Sequence, residues 1–61
     1  MKKYQVFDKD GTEYFYRAHI IETHDGELWG YGPCGEHPYE TLWILPKGEW
    51  HEVRLVGPVE S

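Results

Sequence analysis

Three glycine-bearing turn signals, Asp10-Gly11, Asp25-Gly26 and Lys47-Gly48, divide a chain of 61 residues into short pieces rich in β-branched and aromatic side chains. Asp-Gly favours a tight hairpin because glycine accepts positive φ without a Cβ clash and aspartate tolerates it. No segment keeps a 3.6-residue apolar period over about ten residues, so no long helix is expected. Short strands in close succession predict one all-β domain over residues 1–61, either a five-stranded antiparallel meander or a small SH3-like barrel with little or no helix. The strands are expected at 3–8, 12–23, 27–32, 40–46 and 49–56.

Side-chain alternation selects a core. Tyr4 and Val6 share one face of the first segment, and Tyr14, Tyr16 and Ala18 share one face of the second. The parity then switches to Ile21 and Thr23, which places a β-bulge or sharp bend near His19-Ile20. Leu28, Leu42, Ile44, Trp50 and Val53 complete the expected core. Residues 33–39 read as a loop, because two prolines and a glycine there oppose a regular strand.

A domain of this length buries only about 60% of the surface its unfolded chain exposes, so its core needs reinforcement. A single cysteine, Cys34, cannot supply an internal disulfide. Three Trp, five Tyr and two Phe can supply apolar area instead. The N-terminus shows no apolar signal core, and no apolar run approaches the ~18 residues of a membrane span. The expected setting is cytoplasmic and reducing, away from the membrane. Six Lys+Arg against eleven Asp+Glu give a formal charge of -5, which opposes ordinary nucleic-acid binding.

Residue types that carry chemistry are present but poorly arranged. Cys34 and His37 offer half of a zinc site, and no second close pair completes it. The same thiol with His37 and Glu36 supplies the types for nucleophilic catalysis, yet neighbours in a tight loop rarely converge on one spot. Glu49 and Glu52 read as a solvated strand edge. Gly30-Tyr31-Gly32 is followed by Pro33 and by no helix that could hold a phosphate. The expectation is therefore a protein without catalytic residues, metal or cofactor.

The aromatics are the more informative set. Trp29, Tyr31 and Trp43, with Glu27 and Glu40 nearby, form the candidate partner surface, since Trp and Tyr are typical interface anchors. The leading reading is a non-enzymatic module that binds another protein, one with a basic surface, or a second copy of itself. The rival is a small nucleic-acid-binding barrel that uses aromatics with Lys2, Lys3, Lys9 and Arg17, all in the first seventeen residues.

The ordered pattern Tyr4-x-Val6-Phe7, Asp10-Gly11-Thr12, Ala18, Ile21, Asp25-Gly26-x-Leu28, Leu42 and Pro46-x-Gly48-Glu49-Trp50-x-x-Val53 covers nearly the whole chain. It resembles small orphan β-meander proteins of phages, prophages and other mobile elements. The resemblance implies a non-enzymatic accessory protein, in some cases an inhibitor of a host or defence protein. No catalytic residue carries over from it, and the segment Pro33–Tyr39 departs from the pattern.

Overall fold

Six strands, rather than five, form the computed structural model of the chain, which describes residues 1–58: β1 (Lys2–Phe7), β2 (Glu13–Ala18), β3 (Ile20–His24), β4 (Glu27–Cys34), β5 (His37–Leu45) and β6 (Glu52–Pro58). Residues 59–61, the end of the expected domain, lie outside the described residues. No helix occurs among the described residues, so the all-β expectation holds. Every pairing is antiparallel, in two three-stranded sheets ordered β2-β1-β6 and β3-β4-β5. The expected five-strand meander is corrected in two ways. The segment 12–23 is two strands, and the last strand returns to pair with β1 instead of with β5. No closed barrel forms, because β5 and β6 belong to different sheets.

Turn chemistry explains these connections. Asp25 and Gly26 sit at φ 49° and 85°, as a two-residue type I′ hairpin requires. A carboxylate oxygen of Asp8 accepts the backbone N–H groups of Asp10 and Thr12, each at 2.9 Å, and shapes the β1–β2 connection. The third signal behaves differently. The Glu49 N–H donates to the Pro46 carbonyl at 3.0 Å, and the chain then crosses to the other sheet, where the His51 N–H donates to the Phe7 carbonyl at 2.7 Å. Lys47-Gly48 is thus a crossover turn.

The expected 33–39 loop is also corrected. β4 runs through Cys34 and β5 starts at His37, leaving Gly35-Glu36 as the turn. The ladder shifts between Gly32 and Cys34, which takes Pro33 out of register. Pro38 lies on an edge strand, where a missing N–H need not cost a ladder bond.

The expected bend is present. His19 separates β2 from β3, and its N–H donates to the Tyr31 carbonyl at 2.7 Å. One continuous stretch therefore serves both sheets. The sheets meet mainly where β2 passes β4. The extents are 37 × 26 × 12 Å, so the shortest dimension is close to the roughly 10 Å spacing of two packed sheets. Little depth is available for a core. Tyr4, Val6, Ala18 and Leu28 are the buried apolar side chains. Of the other expected core residues, Tyr16, Ile21, Trp50 and Val53 are half-buried, while Tyr14, Thr23, Leu42 and Ile44 are exposed. Ile44 is exposed because it stands on the outer side of its sheet, as the register partner of Trp29; for the others, a slab this thin cannot bury every apolar position on its inner faces.

Trp43 ties the two sheets together. Its indole N–H donates to the Arg17 carbonyl at 2.9 Å, and its ring lies 4.8 Å from that of Tyr16, centroid to centroid. It also covers Gly30, its register partner, where a Cβ would overlap the indole. Trp50 makes a second tie, donating from Nε1 to the Gly26 carbonyl at 3.0 Å. Trp43→Ala should cost about 3 kcal/mol, the low end of the range for removing a packed aromatic. Trp43→Phe should lose less, and Gly30→Ala should also destabilise by displacing the ring. Urea unfolding checks all three, and a near-neutral Trp43→Ala would place the indole outside the fold-stabilising set.

Candidate functional site

The outer face of the β3-β4-β5 sheet, the side away from Leu28 and Gly30, gathers aromatic and acidic side chains in a small area. Glu22 on β3 stands opposite Trp29 on β4, and Ile20 stands opposite Tyr31. Ile44 on β5 is the register partner of Trp29. The Trp29 and Tyr31 rings stack at 6.2 Å between centroids, 25° from parallel. His24 meets Trp29 edge-on at 5.4 Å and shares a 3.2 Å hydrogen bond between its Nε2 and the Tyr31 hydroxyl. The same nitrogen lies 3.3 Å from Oε1 of Glu22, an ion pair whenever His24 is protonated. The Trp29 indole donates to Oε1 of Glu27 at 3.3 Å. Ile20, Glu22, Tyr31 and Tyr39 line a shallow groove of about 320 Å³ that crosses all three strands.

Indole bonding separates the tryptophans by role. Trp43 and Trp50 donate to backbone carbonyls 26 and 24 residues away and hold the fold together. Trp29 donates to a carboxylate two residues away on its own strand, a local bond that fixes the ring on the surface. Of the expected partner surface, the structure therefore brings together Trp29, Tyr31 and Glu27. It sets Trp43 on the opposite side of the sheet, against Gly30, and Glu40 on the side of Gly32, its register partner. Trp29, Tyr31 and Trp43 are half-buried and not fully exposed, since each is flanked by a neighbouring ring. Glu22, Tyr39 and Ile20 belong to the site but were not among the expected residues. For Glu22 and Ile20 the signal lay in register, since the Asp25-Gly26 turn fixes them opposite Trp29 and Tyr31; Tyr39 lay in the segment that reads as a loop.

The basic residues of the rival reading are dispersed. Lys3 and Arg17 are register partners on the outer face of the β2-β1-β6 sheet. Lys2 pairs with Ala18 on the other side of that sheet, and Lys9 lies in the β1–β2 connection. Lys3 Nζ rests 4.5 Å from the Phe15 ring centroid, and the Arg54 guanidinium lies 5.3 Å from that of Phe7. Arg54 is also paired with Glu52. The phenyl rings on this face thus carry cations from the chain itself. Among the described residues, no group of three or more His, Cys, Asp or Glu could share a metal ion. Cys34 and His37 are register partners across the β4–β5 turn, but the Cys34 side chain lies outside what the structure describes. No described helix is long and apolar enough to cross a membrane.

No protein-family model, curated protein or solved structure matches the chain.

Burial raises the Tyr31 phenol above the ordinary tyrosine value of 10.0, and the Glu22 carboxylate adds to the shift by its charge and by hydrogen bonding. A phenol with a raised folded-state pKa contributes stability that is fully present below 10.0 and is lost as pH rises through the folded value. Unfolding free energy should therefore fall above pH 10.0 more steeply in the native chain than in Tyr31→Phe. Glu22→Gln should bring the Tyr31 titration, followed by ultraviolet absorbance, back toward the ordinary value. An unchanged titration in Glu22→Gln would separate the two groups.

Proposed function

We propose that the chain is a non-enzymatic protein-binding module whose contact surface is the outer face of the β3-β4-β5 sheet, centred on Trp29 and Tyr31 with Glu22 and Glu27 beside them. The observation that carries this reading is the stacked Trp29–Tyr31 pair, fixed by short-range bonds and surrounded by exposed apolar neighbours. Tyr39 is 59% exposed, and Ile20 and Ile44 are each 42% exposed. Exposed apolar side chains around a rigid aromatic pair provide area to desolvate without further ordering, which is how interface anchors act. Acidic neighbours favour encounter with a basic partner and keep the unbound face soluble. The reading is in keeping with a mobile-element accessory protein that occludes a host or defence protein, as the resemblance to small β-meander proteins of phages and mobile elements implies.

Immobilised protein should capture a partner from host lysate, and Trp29→Ala should weaken that association by about 2 kcal/mol or more, as a hot-spot residue does. Phe15→Ala, on the outer face of the other sheet, should leave it intact. Amide spectra of both variants should keep the native dispersion. Partner retention by a folded Trp29→Ala variant would remove this face from the interaction, and unfolding of that variant would make Trp29 a structural residue.

A further inference from the structure

We propose that the Trp29–Tyr31 face receives an arginine side chain from a basic segment of its partner, seated in the groove between Ile20, Glu22, Tyr31 and Tyr39. The inference rests on the reading of this face as protein-binding and names the chemistry that it recognises.

Groove size comes first. About 320 Å³ is at the small end of the range for small-molecule sites, and the groove is shallow. It suits one long side chain lying across the strands. Its walls combine two phenol rings, one carboxylate and one aliphatic side chain. Ring faces attract cations, and Trp and Tyr rings do so at least as well as Phe. A guanidinium stacks flat on such a ring and also binds a carboxylate through two parallel N–H groups. A lysine ammonium is a compact, strongly hydrated charge that can do neither as well.

Contrast within the chain provides the second argument. On the β2-β1-β6 sheet, Lys3 lies over Phe15 and Arg54 over Phe7. Among the described residues, no lysine or arginine lies over Trp29, Tyr31 or Tyr39, although these rings are set among acids. Glu22 has His24 as its ion-pair partner, and that pair exists only when the imidazole is protonated. Among the described residues, a lysine and an arginine thus lie over the phenyl rings, and the only basic groups that meet the rings of the face where carboxylates flank Trp and Tyr are imidazoles. Burial is the main cause of the raised Tyr31 pKa, and the Glu22 charge, its second cause, puts a negative field at the groove. The formal charge of -5 would draw a basic segment toward the protein at low salt.

The test is titration of the isotope-labelled protein with two capped pentapeptides, Gly-Arg-Gly-Arg-Gly and Gly-Lys-Gly-Lys-Gly. The arginine peptide should give saturable amide shifts at Ile20, Glu22, Tyr31 and Tyr39 and bind several-fold tighter than the lysine peptide. Glu22→Gln should weaken it about fivefold, equivalent to ~1 kcal/mol. Tyr31→Ala should weaken it at least as much while the remaining spectrum stays native. Equal binding of both peptides, shifts scattered over Asp8, Asp10, Glu36 and Glu49, or indifference to Glu22→Gln would overturn the proposal. Shifts on this face that depend on protein concentration without peptide would give it to a second copy of the chain. Shifts there with an oligothymidylate would give it to nucleic acid, and either result overturns the arginine site. A lysate partner lost with Trp29→Ala but unaffected by Glu22→Gln and by excess arginine peptide would refute the arginine site alone. A partner retained by Trp29→Ala would refute the protein-binding face itself.

Discussion

The hydrogen bond from the Trp43 indole to the Arg17 carbonyl is the tie on which the rest of the molecule depends. The two sheets share little depth, and the described core is four buried apolar side chains. Conformational entropy opposes folding at every residue, and a core of this size leaves a small surplus against it. A single indole that bridges the sheets, covers Gly30 and packs on Tyr16 therefore acts at three places at once. The Trp50 bond to the Gly26 carbonyl repeats the device at the crossover. Indoles suit this task because they combine a large apolar body with one polar handle.

Gly30 and Gly32 give those rings room. Both are buried on the side of the sheet that carries Leu28, and both lack the side chain that would occupy that space. The Trp43 ring fills the position over Gly30, and Leu42 fills the one over Gly32. Leu42 and Trp43 can lie on the same side because the ladder shifts between Gly30 and Tyr31. That one bulge therefore puts Leu42 beside Trp43 on the inner side and Tyr39 on the side of Tyr31.

That bulge also marks how far the sequence could be read. The Asp25-Gly26 hairpin, the bend at His19 and the inward placement of Tyr4, Val6, Ala18 and Leu28 follow from turn chemistry and alternation, and the structure has them. The face of Trp43 was not legible from its own strand, because Leu42-Trp43-Ile44-Leu45 is apolar at both parities. The deciding signal lay on the neighbouring strand, in the spacing Leu28-x-Gly30-x-Gly32, which calls for a large side chain across from the glycines. The return of β6 to β1 was equally hidden. Lys47-Gly48 has the residues of a hairpin, and what overrides it is tertiary: the Trp50 tie and the His51 bond to Phe7 carry the chain across. Of the candidate surface, Trp29, Tyr31 and Glu27 were legible because they lie on one strand at alternate positions. Glu22 needed the hairpin register, and Tyr39 was hidden within an apparent loop.

The two outer faces meet the same difficulty in opposite ways. A thin slab with ten aromatic residues cannot bury them all, so some rings must face water. On the β2-β1-β6 sheet, Lys3 and Arg54 lie over the phenyl rings, and their long stems shield apolar surface while the charged heads stay hydrated. On the β3-β4-β5 sheet, the rings flank one another, and carboxylates and an imidazole bond their polar edges. Edge bonding orients a ring and puts no lysine or arginine over it among the described residues, whereas Lys3 and Arg54 each lie over one phenyl ring. On the proposed reading, it is this acid-flanked aromatic face that exchanges water for a partner's side chain at small entropic cost.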